Sequence, residues 1–178
     1  MGWTTLTAMA PPEYEDPLDW VDHYWRKQKL GDPASFIAMG SMFRMHQFMT
    51  QEIERVLKPF ELTRTSYLAL ATIQLSEHGV RLLSHIATYM LVHPTTITLI
   101  IDKLAAQGLV ERVPHPTDRR ATYAKITTAG TALMKKASAA LEKADFGMPG
   151  VRGERASALT AMLTPVRRAA GDADPKHA

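Results

Sequence analysis

The sequence predicts a mainly α-helical chain carrying one small β element, and three observations lead there. Apolar residues recur at steps of three and four from Phe36 to Val56, the period of a helix face. Pro59, Gly79, Pro94 and Gly108 cut the middle of the chain into three short helical stretches. Two short runs, "LVERV" and "ATYAKIT", flank a turn-forming "PHPTDRR" and read as strands.

Taken in order, residues 1–17 are rich in proline and end acidic (Glu13, Glu15, Asp16), which describes a tail. Pro17 suits the first turn of a helix running to Gly31, with Leu18, Val21 and Trp25 on one face. From Pro33 to Leu57 the apolar positions 36, 39, 42, 45, 49, 53 and 56 predict a long helix that Pro59 stops. "TRTSYLALATIQLSE" is a shorter helix, capped by Thr63 or Thr65 and ending near His78-Gly79. "RLLSHIATYM" is a fourth. In "VHPTTITLIIDKLAAQGLVERV", Pro94 opens a helix and Gly108 stops it, ahead of the strand–turn–strand. A helix then starts at Thr127 or Thr128 and breaks at "GMPG". A last one covers Arg152 to Ala169, followed by a polar tail.

Composition narrows the function classes. Hydrophobic residues make up 46% of 178, enough for a core, so global disorder is not expected. Without cysteine there are no disulfides and no thiolate metal or redox sites. The opening stretch lacks the basic and apolar regions of a secretory signal, and no apolar run reaches membrane-spanning length. A cytoplasmic protein is expected. The net charge of +3 permits nucleic-acid binding without arguing for it. No phosphate-cradling glycine loop, HExxH, nucleophile elbow or paired-carboxylate cluster is present, so an enzyme is not expected.

Three short helices followed by a two-stranded hairpin form the winged helix-turn-helix arrangement. Its third helix enters a DNA major groove and its wing reaches the backbone or minor groove. Thr95, Thr96 and Thr98 crowd the first turns of that helix, where hydroxyls and free N–H groups suit phosphates or base edges. Ile97, Ile100, Ile101 and Leu104 fall on the opposite side, and Lys103 is placed for a phosphate. Other readings stay open at this point. The threonines are also what helix capping alone would produce. Arg112 is either a phosphate contact or half of a surface ion pair. Leu99 either faces the groove, touching a thymine methyl, or packs inward.

The run from "HPTTITLIIDKLAAQGLVER" through "PTDRRATYAKITTAG" resembles the MarR family of bacterial transcription regulators. The family's wing signature is Asp-x-Arg, a spacer, then Leu-Thr-x-x-Gly. Asp118, Arg119, Arg120, Ile126, Thr127 and Gly130 match it, with Ile in place of Leu, and the likeness covers about residues 60–130. The resemblance implies that Arg120, with Arg119, sits at the wing tip and enters the minor groove, while Asp118 orients an arginine. It implies a homodimer on an inverted repeat, acting as a repressor released by a small anionic aromatic or acyl ligand. On that organisation residues 18–58 and 128–170 form the dimerisation region, 60–127 the DNA-binding domain, and 1–17 and 171–178 tails.

The family's ligand pocket lies where the dimer helices meet the DNA-binding lobe. That falls here on Arg44, with Trp25, Phe36 and Tyr67 as aromatic walls and Met39, Met42, Met45 and Met49 as an adaptable lining. The same residues equally describe a plain dimer core with Arg44 reaching solvent. No cofactor or metal is expected: the oxidant-sensing branch needs cysteine, and the seven histidines lack ligand spacing. The rival function is an effector-independent architectural DNA-binding protein. It would carry a stronger basic balance than residues 94–125, where five Lys/Arg stand against three acids.

Overall fold

The computed structural model describes residues 14–119 and 121–172. Arg120 and most of both expected tails therefore lie outside the described residues. The chain divides into two compact units, Met1–Gln47 and Phe48–Ala178, with the division inside its longest helix.

The first unit holds α1 (Pro17–Lys27) and the start of α2 (Ala34–Leu57). Asp16 caps α1 by accepting the Leu18 N–H at 2.8 Å. The helix stops at Lys27 rather than running to Gly31. Lys29 turns left-handed at φ 57°, and the Leu30 N–H closes back on the Trp25 carbonyl at 3.2 Å. Along this part of α2, Phe36, Met39, Met42 and Phe43 are exposed.

The second unit continues with α3 (Arg64–Gln74), β1 (Val80–Leu82), α4 (Leu83–Met90) and α5 (Pro94–Ala106). Then come β2 (Val110–Pro114), β3 (Thr122–Ile126), α6 (Thr128–Lys143) and α7 (Glu154–Ala169). Thr63, the first of the two expected caps, accepts the Ser66 N–H at 3.1 Å to start α3. The sheet corrects the expectation of two strands. It has three, ordered β1-β3-β2 and antiparallel throughout, with Arg81 opposite Ala124 and Arg112 opposite the same residue from the other side. A three-residue strand is too short to show an alternating pattern, so "VRL" had merged with the helix that follows it. Leu70, Ile73, Ile86, Ile97, Ile101 and Leu104 are fully buried in one cluster that draws on α3, α4 and α5. No helix among the described residues is long and apolar enough to cross a membrane.

One junction joins the end of α5, the wing and α6. Gly108 at φ +70° and Leu109 close α5, with the Leu109 N–H on the Leu104 carbonyl at 2.9 Å and the Gly108 N–H on Ala105 at 2.9 Å. The Leu109 carbonyl then accepts the Thr127 N–H at 3.1 Å and the Thr127 hydroxyl at 3.2 Å. That hydroxyl also reaches the Gly108 carbonyl at 2.8 Å, and its oxygen caps α6 by accepting the Gly130 N–H at 3.0 Å. Gly130 is required here for space, because a Cβ would stand 2.1 Å from the Leu109 oxygen. At Gly108 the demand is conformational, since nothing lies within 4 Å of an added Cβ. Gly130→Ala is therefore expected to destabilise the protein by about 3 kcal/mol through forced backbone movement. Gly108→Ala should cost about 1 kcal/mol through the left-handed φ alone. Urea unfolding of both variants checks this, and equal losses would show that close approach is not what Gly130 serves.

Candidate nucleic-acid interface

The helix α5 is amphipathic in a way that defines an outward face. Ile97, Ile101 and Leu104 are buried, and Ile100 is half-buried against the same cluster. At about 100° per residue the opposite arc centres on position 99. Thr95 and Thr96 lie one turn before it, Asp102 and Lys103 one turn after, and all four are exposed. Leu99 itself is 66% exposed, which removes the inward-packing alternative. Thr98 is turned aside, half-buried, with its hydroxyl donating to the Pro94 carbonyl at 3.2 Å.

The cap of α5 is a histidine and not one of the threonines. His93 accepts the Thr95 N–H through Nδ1 at 3.3 Å, and the Thr95 hydroxyl lies 3.0 Å from the same nitrogen. A ring nitrogen that accepts from an N–H carries no proton itself. The turn before it uses Leu91 in the left-handed conformation at φ 53°, with the Val92 N–H on the Ala87 carbonyl at 3.1 Å. Glycine is the usual occupant of such a position, and Leu91 is 79% exposed.

The wing turn between β2 and β3 repeats the histidine device. His115 Nδ1 accepts the Asp118 N–H at 3.1 Å and the Thr117 N–H at 3.3 Å. Its ring stacks on Tyr123 with centroids 5.1 Å apart. The Ala121 N–H on the Asp118 carbonyl, at 3.1 Å, tightens the loop. Arg119 is exposed and, with Arg112, Pro114, His115, Ala121 and Thr122, lines an open cleft of about 380 Å³. Arg112 resolves to an ion pair: its Nη1 bonds Asp102 Oδ1, so β2 is tied to the outward side of α5. The pair is largely exposed and contributes little stability, at most about 1 kcal/mol. Its effect is to neutralise the acid beside Lys103. The minor-groove role expected of Arg120 lies outside the described residues.

The residues expected around a ligand belong to both units. In the first unit, Trp25 packs on Phe36 with ring centroids 4.7 Å apart, and its indole Nε1 is buried without a hydrogen-bond partner among the described residues. Arg44 is exposed in the same unit. Tyr67 belongs to the second unit, buried in its core with the hydroxyl on Ser138 Oγ at 3.0 Å. Among the described residues no group of three or more His, Asp or Glu could hold a metal.

His93, His115 and Asp102 went unread in the sequence. Histidine is not a preferred cap, so the two rings showed no local signature. The Asp102–Arg112 pair joins a helix to a strand, across a separation that helix-face rules do not cover.

Comparison with known proteins gives one family. The model of the MarR family matches residues 62–122. A solved structure of Sco5413, a MarR family transcriptional regulator from Streptomyces coelicolor, is 37% identical, with a TM-score of 0.72 over 81% of this chain and 99% of that one. The transcriptional repressor IacR of Pseudomonas putida is 36% identical over 49% of this chain, a match that spans only 51% of IacR. A mutant MarR from E. coli in complex with operator DNA shares the fold, with a TM-score of 0.63 at 21% identity over 76% of this chain and 99% of that one.

Removing the acceptor at the head of α5 is expected to weaken the helix where it begins. His93→Ala should lower unfolding free energy by about 1 kcal/mol, and His93→Asn, which restores an oxygen acceptor, should recover it. Thermal or urea unfolding of the two variants decides. No difference between Ala and Asn would mean that the ring does not act as a cap.

Proposed function

The chain belongs to the MarR family of transcriptional regulators, and from that premise we propose that it is a cytoplasmic, homodimeric repressor that binds inverted-repeat operators and is released by a small ligand. The observation that carries the reading is the construction of α5. Its buried isoleucine–leucine row fixes the helix to the lobe, and its outward arc offers Thr95, Thr96, Leu99 and Lys103 together. A helix of this width fits the major groove, about 12 Å across. Its first N–H groups are taken up by His93, so phosphate contact falls to side chains. Arg119, with Arg120 beside it in the sequence, follows on the wing, where the narrow groove's negative potential favours arginine. Arg112 acts through Asp102, holding the acid off the phosphates.

The dimer is supported by apolar surface that has no reason to face water. Phe36, Met39 and Phe43 recur at helix spacing on α2, and Met162 and Val166 recur on α7. Two copies related by a two-fold axis present equal recognition helices about one DNA turn apart, hence an inverted repeat. For the ligand, the unsatisfied indole N–H of Trp25 against the Phe36 ring, with Arg44 in the same unit, suits a small planar acid or acyl compound. Its binding shifts the population toward a spacing of recognition helices that misfits the operator.

The test is mobility shift on DNA upstream of the protein's own gene, across a salt series with competitor DNA. Wild type should bind tightly and selectively. Arg119→Ala/Arg120→Ala should lose at least about tenfold in affinity, and the salt slope should fall by about one unit for each arginine removed. Binding that is equal on any DNA and indifferent to the double variant would sink the regulator reading and favour an architectural one. For the assembly, Met162→Glu/Val166→Glu is expected to convert the dimer to monomer in sedimentation. A variant that sediments like wild type would take α7 out of the interface.

A further inference from the structure

We propose that Leu99 is the specificity-determining residue of α5, and that it selects a thymine by its C5-methyl group in the major groove. The inference rests on the DNA-binding reading above and goes beyond it, by naming which side chain discriminates and which base it selects.

Leu99 sits at the centre of the outward arc of α5, the position that goes deepest when a helix lies in a groove, and it is 66% exposed in the free chain. Around it three polar groups are engaged locally. The Thr95 hydroxyl is on His93 Nδ1 at 3.0 Å, the Thr98 hydroxyl donates to the Pro94 carbonyl at 3.2 Å, and Asp102 is paired with Arg112. The centre of the reading face therefore offers hydrocarbon, and Thr95, Thr98 and Asp102 beside it have partners already. The thymine methyl is the one apolar group that protrudes into the major groove. Leucine against that methyl buries apolar surface on both sides. Leucine against guanine N7 and O6, or against adenine N7 and N6, strips water from polar atoms and returns no hydrogen bond. Both effects favour the same base, one as attraction and the other as rejection.

The test replaces the methyl and nothing else. The full-length protein is used to select binding sequences from a random duplex pool. Each thymine of the selected half-site is then exchanged for deoxyuridine, and affinities are compared for wild type and Leu99→Ala. Because Leu99 is exposed, the variant should unfold at the wild-type urea midpoint, which is measured alongside. At one thymine per half-site, loss of the methyl should weaken wild-type binding about fourfold, and about sixteenfold when both half-sites are changed, the worth of one and two buried methyl groups. Leu99→Ala should bind the thymine and deoxyuridine duplexes alike. A methyl effect that persists undiminished in Leu99→Ala, or the absence of any thymine with such an effect, overturns the assignment while leaving the regulator intact. A protein that enriches no sequence at all loses both readings.

Discussion

The placement of α5 and of the wing converges on one oxygen atom, the carbonyl of Leu109. It lies just past the end of α5 and just before β2, so its position sets the exit of that helix and the entry of the wing. Thr127 holds it through a backbone N–H at 3.1 Å and a hydroxyl at 3.2 Å. The same threonine starts α6 by capping Gly130. Helix, wing and C-terminal helix thereby share one polar hub. Buried backbone groups left unpaired are costly, and here the carbonyl, the threonine and the helix N-terminus satisfy one another. The missing side chain at Gly130 is the condition for that closeness, which explains why a glycine belongs three residues after the cap.

The outward surface follows a different logic from the hub. One acid there is compensated: Asp102 lies on the outward side of α5, and Arg112 from β2 answers it. The energy of such an exposed pair is small. Its electrostatic effect at a surface offered to phosphates is larger, because an unmasked carboxylate would repel the backbone at short range. Hydroxyls are handled similarly, with Thr95 and Thr98 bonded within their own turn. The helix thus presents a shaped, nearly neutral centre bordered by cationic groups at Lys103 and Arg119.

Much of this was legible in the residues, and the reasons are local. Pro94 and Gly108 bracket α5 because one tolerates only the first helical turn and the other tolerates the left-handed exit. Thr63 and Thr127 announced α3 and α6 by the geometry of a short hydroxyl at a helix start. The buried row at Ile97, Ile101 and Leu104 followed from the helical period. What was not legible depends on partners distant in sequence or on unusual usage. β1 exists because β3 has a second edge to pair, which "VRL" cannot signal. Leu91 closes α4 in a conformation that nothing in its side chain favours. The burial of Tyr67 depends on the Ser138 hydroxyl, on α6, far from it in sequence.

The two histidines that cap α5 and the wing carry a consequence of their own. Each accepts backbone N–H groups through Nδ1, so each neutral ring must hold its proton on Nε2. Tautomers of imidazole are distinguishable by the nitrogen chemical shifts of the ring. His93 and His115 therefore serve as native spectroscopic probes, one reporting whether the reading helix is wound at its first turn and the other whether the wing loop is closed. Neither requires an attached probe, a cysteine or any change of residue; nitrogen isotope enrichment suffices.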